Sequence, residues 1–146
     1  MSTTPLDPAV VVATLADLQV DEGVRLKPYT DTRGNISIAI GRNLTGVGVS
    51  HAEAVTLCLT DIATAGAALD ANWPWWRSLP QAQACVMLNL AFNMGAETLS
   101  QFVHFLAAMQ AHDWAAAGAQ LVSSDWYGEV GQRGPRMVAR LLGNAT

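Results

Sequence analysis

Positive charge is scarce in this 146-residue chain. Eight Lys or Arg stand against twelve Asp or Glu, and between residues 43 and 132 the sole basic side chain is Arg77. A formal net charge of −4 counts against a nucleic-acid protein, which needs a basic face to neutralise phosphates. Cysteine is nearly missing: Cys58 and Cys85 sit in helical patterns without CxxC or Cys/His spacing, which reads as reduced, buried thiols rather than a disulfide or a metal site. His104 and His112 lack metal-ligand neighbours and read as surface or helix-end residues. The first residues, MSTTPLDPAVVVATLADLQ, carry no basic leader, and their apolar run is short and broken by Asp17. Neither a signal peptide nor a stable membrane insertion is therefore expected, and the product is expected to stay in the cytoplasm where it is made. Repeats and disorder are not indicated, and 51% hydrophobic content over this length suits one domain with a sizeable core.

Most of the chemistry falls within residues 21–44, DEGVRLKPYTDTRGNISIAIGRNL. Pro8 to Glu22 places Val11, Val12, Leu15 and Leu18 at helical spacing, and Gly23 follows where a helix C-terminus favours positive φ. A first helix is expected to stop at Glu22. Leu26 to Thr30 and Asn35 to Ile40 are short β-prone runs around the turn pair Arg33-Gly34. In the second run Ile36, Ile38 and Ile40 alternate with Ser37, Ala39 and Gly41, so one face is expected to be apolar and the other small and open to a ligand.

Glu22 at a helix end and Asp31 at a hairpin rim come from different elements and are able to face each other across a gap. Glycoside hydrolysis uses two carboxyl groups in unlike settings, one donating a proton to the leaving oxygen and one ionised to act on water or on carbon. Ser37 adds a hydroxyl on the open face of the strand.

The spacing of glutamate, eight residues, aspartate, five residues and a small hydroxyl residue is set in DEG-x-RLK-x-Y-x-DT-x-G-x-x-x-I-x-IG. It resembles the phage-type lysozymes, glycoside hydrolase family 24. NLAFNMGAETLSQF from Asn89 to Phe102 is similar to the family's buried central helix, and DWYGEVGQRGPRMV from Asp125 to Val138 to its Trp-Tyr loop and closing arginine helix. The resemblance implies an α+β, lysozyme-like fold, mainly helical with a small N-terminal β-hairpin lobe. Residues 1–146 are then one bilobed domain: a small β lobe over about 24–50, a connecting helix over about 51–71 and a helical lobe over 72–146, with helix 1 packed on the helical lobe.

Local patterns beyond the hairpin fit that outline. Ser50 to Glu53 is an S-x-x-E capping box opening a helix to about Ala71. Trp73-Pro74-Trp75-Trp76 breaks the pattern, and tryptophans around an interhelix proline are expected to plug a helix corner rather than to bind sugar or membrane. Ser78 to Met94 is apolar nearly all round, as a buried helix ended by Gly95. Helices are expected at Leu99 to Ala111 and Asp113 to Val122, then a loop with Trp126 and Tyr127, then a helix from Pro135 to Leu142 closed by Gly143. Arg25, Lys27, Arg33 and Arg42 cluster near the hairpin, with Arg133, Arg136 and Arg140 near the end.

The resemblance also implies roles. Glu22 matches the family's general acid, Asp31 the second carboxylate acting as base in an inverting hydrolysis, and Ser37, in place of the usual threonine, the hydroxyl that holds the attacking water. Arg133 matches an arginine that pairs with this glutamate in support of catalysis, and Phe92 is a substrate contact. Inverting enzymes separate their carboxyls by about 6.5–9.5 Å and retaining ones by about 5–5.5 Å, and residues from two elements fit either. Arg42 replaces a family histidine, with Asp61 as its expected partner. The implied activity is that of an endolysin muramidase cleaving the β-1,4 bond between N-acetylmuramic acid and N-acetylglucosamine in peptidoglycan glycan strands. It is expected to act as a monomer without cofactor or metal. Such an enzyme waits in the host cytoplasm until a holin opens the inner membrane, then reaches the cell wall. The alternatives are a lytic transglycosylase and a non-catalytic peptidoglycan-binding or phage structural module.

Overall fold

The computed structural model describes residues 4–143. They fall into two compact units, one ending at Ala54 and the other beginning at Val55.

In the first unit, α1 (Pro8–Asp21) begins at Asp7, whose side chain accepts from the Ala9 backbone N–H at 2.9 Å, with Pro8 where a missing N–H is harmless. Glu22 caps its C-terminus and Gly23 follows at φ 72°. The helix buries none of its side chains. Strands β1 (Arg25–Thr30), β2 (Ile36–Ala39) and β3 (Arg42–Asn43) form an antiparallel sheet in chain order.

The second strand differs from its expectation at both its end and its faces. Ala39 adopts φ 60° and Gly41 φ 66°, so the chain turns back and pairs Ile38 with Arg42 in a third strand that the alternating pattern did not reveal. Ser37 is 4% exposed, the sole buried residue among the described residues of this unit, whereas Ile36 is 51% exposed. The sheet has no apolar layer of its own in which to sink the isoleucine face. Ser37 instead sits on the central strand between its cross-strand partners Tyr29 and Asn43.

A polar clamp leads from β3 into α2 (His51–Asn72). The capping box is present: Ser50 Oγ accepts from the Glu53 N–H at 3.1 Å, and Glu53 Oε2 accepts from the Ser50 N–H at 2.8 Å. Arg42 donates through both terminal nitrogens to the Glu53 carboxylate and, at 3.2 Å, to the Gly48 carbonyl. Glu53, in the first turn of α2, therefore takes the partner role expected of Asp61. The Ser50 N–H foremost, and then Arg42, hold the Glu53 carboxyl below the usual range.

In the second unit α2 buries Ala65, Gly66 and Leu69. Among the described residues it is the one helix long and apolar enough to cross a membrane, yet Asp70 near its end is engaged in a protein corner. There a 3₁₀ turn (Pro74–Ser78) buries Trp76, whose Nε1 donates to Asp70 Oδ1 at 2.8 Å while Arg77 grips both Asp70 oxygens. Trp73 and Trp75 are half-buried against the same core, in agreement with the corner reading.

The long central helix α3 (Gln81–Leu99) buries Val86, Met87, Leu90 and Leu99 completely. It breaks as expected at Gly95, which takes φ 79° and ψ 161°, a conformation that needs a residue without Cβ, and a further helical turn follows. Around it lie α4 (Val103–Gln110), α5 (Trp114–Val122), α6 (Asp125–Glu129) and α7 (Arg133–Leu141). Trp126 and Tyr127 thus lie on a short helix rather than in a loop, because Ser124 caps it through the Tyr127 N–H. The buried Gln83 carboxamide donates to the Leu141 carbonyl at 2.8 Å and ties α3 to the end of α7. A mainly helical chain with a small three-stranded antiparallel sheet is the α+β class that was expected.

Gly134 marks the closest approach in this unit: a Cβ there would stand 2.8 Å from Tyr127 Cδ2 and 3.0 Å from the Tyr127 carbonyl oxygen. Gly134→Ala is expected to lose about 1–3 kcal/mol through overpacking against backbone. Gly128→Ala, where an added Cβ meets open space, should be neutral or slightly stabilising. Thermal unfolding of the two variants tests this; equal melting temperatures would refute it.

Candidate active site

Three of the residues singled out in the sequence lie in the first unit. Glu22 is exposed at the C-cap of α1, and its side chain rests on the backbone of Gly41. A Cβ at residue 41 would come within 3.0 Å of Glu22 Oε2 and 3.1 Å of Cδ. The turn after β2 therefore favours glycine for its positive φ, and a side chain there would also shift the Glu22 carboxylate by a few tenths of an ångström.

Asp31 is half-buried at the head of the hairpin loop. Its Oδ1 accepts from the Arg33 N–H at 2.8 Å and the Asn35 N–H at 2.9 Å, and its Oδ2 accepts from Asn35 Nδ2 at 3.3 Å. The Asp31 N–H in turn donates to the Asn35 carbonyl at 2.8 Å. Asp31 thus forms an Asx-type turn, yet only Oδ1 is fully engaged. The Asn35 N–H above all, then the Arg33 N–H, the Asn35 carboxamide and the Arg33 charge hold its carboxyl below the usual range against the opposing pull of desolvation. The lowered folded-state pKa adds stability above the unfolded value of about 3.9, and that contribution fades as pH falls through the folded value. At neutral pH Asp31 is a fixed carboxylate with acceptor capacity left on Oδ2.

Ser37 lies in the cross-strand row Tyr29–Ser37–Asn43, with the Arg25 guanidinium 4.2 Å from the centroid of the Tyr29 ring. Its burial narrows access to the hydroxyl relative to the open face expected.

Phe92 and Arg133 belong to the second unit, where the structure brings them to one cavity of about 380 Å³. Cys58 and Ile62 of α2, Cys85, Leu88, Asn89 and Phe92 of α3, and Arg133 of α7 line it. Phe92 is 44% exposed, as a ligand contact requires and a core residue does not. Asn89 Oδ1 is buried without a hydrogen-bond partner among the described residues, an acceptor aligned with no donor of its own unit. Trp126 Nε1 donates to Asn93 Oδ1 at 2.8 Å and fixes α6 against the turn that carries Phe92. The cysteines are unpaired; Cys58 is exposed and Cys85 half-buried rather than both buried, because both stand on the wall of this open cavity. Gly41, Asn35 and Asn89 were missed in the sequence. Only the glycine after Ile40 carried a signal, and its contact with Glu22 depends on the unforeseen third strand.

Residues 19–141 match the family model described as phage lysozyme. The chain is 28% identical to the pre-baseplate central spike protein Gp5 of Enterobacteria phage T4, an alignment that takes in 97% of this chain and 30% of that protein. It is 25% identical to the probable T4-type lysozyme 2 of Dictyostelium discoideum and 21% identical to the probable T4-type lysozyme 1 of the same organism. Both of these alignments cover 88% of this chain and 94% of the relative. The chain therefore spans under a third of the spike protein but nearly the full length of the other two.

Gly41→Ala tests the turn beneath Glu22. It should lower stability by about 1 kcal/mol through the strained φ. Thermal unfolding checks this, and a melting temperature equal to wild type would show that residue 41 is not under this constraint.

Proposed function

This chain belongs to the phage lysozyme family, and from that premise we propose that it is a muramidase hydrolysing the β-1,4 bond between N-acetylmuramic acid and N-acetylglucosamine. The observation that carries the reading is the pair of unlike carboxylates in the first unit: Asp31 held ionised by three hydrogen bonds, and Glu22, without such an anchor among the described residues, against Gly41. In the proposed reaction Glu22 protonates the glycosidic oxygen as its bond to the anomeric carbon breaks. Asp31 takes a proton from the water that attacks that carbon from the opposite face, which inverts its configuration. Ser37 helps hold the water, Arg133 supports catalysis, and Phe92 packs on a sugar ring. As an endolysin the protein would remain a monomer in the host cytoplasm until a holin admits it to the wall.

A second reading shares the chemistry and differs in delivery. The alignment of nearly the whole chain with part of a phage spike protein supports a wall-cleaving module that serves a tail structure rather than lysis from within.

Mass spectrometry of muropeptides released from purified peptidoglycan is the deciding experiment. Wild type should yield reducing-end muramic acid, and Glu22→Gln and Asp31→Asn should each lower release by about 100-fold or more while remaining folded, Asp31→Asn at a somewhat lower unfolding temperature because the ionised acceptor is gone. Anhydro-muramic products would move the protein to the transglycosylases, and no release by wild type would leave a binding module.

A further inference from the structure

We propose that Asn35 is a positioning residue for Asp31, its carboxamide fixing the direction in which the carboxylate meets the attacking water. This rests on the reading of Asp31 as the base.

Two of the three hydrogen bonds to the Asp31 carboxylate come from backbone N–H groups of Arg33 and Asn35, and both end on Oδ1. Almost any residue at those positions supplies them. They leave the carboxylate free to swing about the line through Oδ1. The Asn35 Nδ2 bond to Oδ2 at 3.3 Å is the one contact that resists this swing, and it is the one that depends on the side chain at residue 35. It occupies one lone pair of Oδ2 and leaves acceptor capacity on the same oxygen.

Asn35 is itself held in place. Its carbonyl accepts from the Asp31 N–H at 2.8 Å and its N–H donates back to the carboxylate, so side chain and backbone close around the same residue. The carboxamide also favours the charged form of Asp31, alongside the backbone donors and the charge of Arg33. Arg33 is the one charged side chain that acts on Asp31 among the described residues.

Three variants separate positioning from folding. Asn35→Ala keeps both backbone bonds and should lower kcat about tenfold, the effect of one hydrogen bond to a charged acceptor, with KM unchanged. The acid limb of its pH–rate profile should move to higher pH, because a stabiliser of the carboxylate is gone. Asn35→Asp sets a second carboxylate against Oδ2 and should move that limb further in the same direction. In an Asp31→Asn background, Asn35→Ala should have no further effect on the residual rate. Wild-type kcat and an unmoved acid limb in Asn35→Ala would overturn the proposal, as would an equal loss in the Asp31→Asn background, which marks a general structural role. Full activity of Asp31→Asn alone would overturn the reading of the base instead, so the two failures are distinguishable.

Discussion

Burial of α3 is the constraint on which the second unit depends. Val86, Met87 and Leu90 have no exposure, and Gln83 on the same helix is buried with its carboxamide spent on the Leu141 carbonyl. A helix covered on most of its circumference fixes its own rotation, since turning it by one residue would exchange leucine for asparagine in the core. Each such side chain is worth about 1.5–3 kcal/mol relative to exposure. That rotation leaves Asn89 and Phe92 on the cavity side, and Gly95 bends the chain so that Leu99 re-enters the core beyond it. α7, with Arg133 at its start, packs against this helix and against Tyr127, and α5 and α6 pack against α7 in turn.

The first unit is built on different physics. Ser37 is its one buried residue among those described, so no apolar interior orders the candidate carboxylates. Order comes from local polar closure: the Asp31–Asn35 loop, and the Arg42–Glu53–Ser50 clamp at the head of α2. A single hydrogen bond contributes only about 1 kcal/mol net, so rigidity appears where several donors converge on one acceptor. Such convergence is found at Asp31 and at Glu53, and Glu22 is placed by close contact with a glycine instead.

What was legible in the sequence follows this division. The capping box at Ser50, the break at Gly95 and the tryptophan corner are local signals, and each appears where its residues stand. Periodicity misjudged the faces of β2 because alternation tells which residues share a face but not whether anything covers it. The third strand was hidden by its length of two residues and by a positive φ at Ala39, which no alanine announces. The pairing of Arg42 with Glu53 rather than Asp61 was equally hidden, since a cation and two acids eleven and nineteen positions away satisfy the same charge rule. Glu22 and Asp31 were singled out as candidates by spacing and by the family resemblance it carries. Their supports, Gly41 and Asn35, became visible only once the loops had taken shape.

An acidic protein proposed to act on an anionic wall polymer looks mismatched until charge is considered locally. At physiological ionic strength exposed charges act over about 8 Å, so a substrate strand feels the surface it touches rather than the net charge. Within residues 25–42 four cations, Arg25, Lys27, Arg33 and Arg42, accompany the single carboxylate of Asp31. Arg42 is neutralised by Glu53, and Arg25 lies over the Tyr29 ring, which leaves its charge available. The hairpin that carries the proposed base is therefore locally positive although the chain is not. Arg33, one of the cations that would draw a polyanion, also helps keep Asp31 ionised, so for the proposed reaction attraction of the substrate and preparation of the base share that side chain.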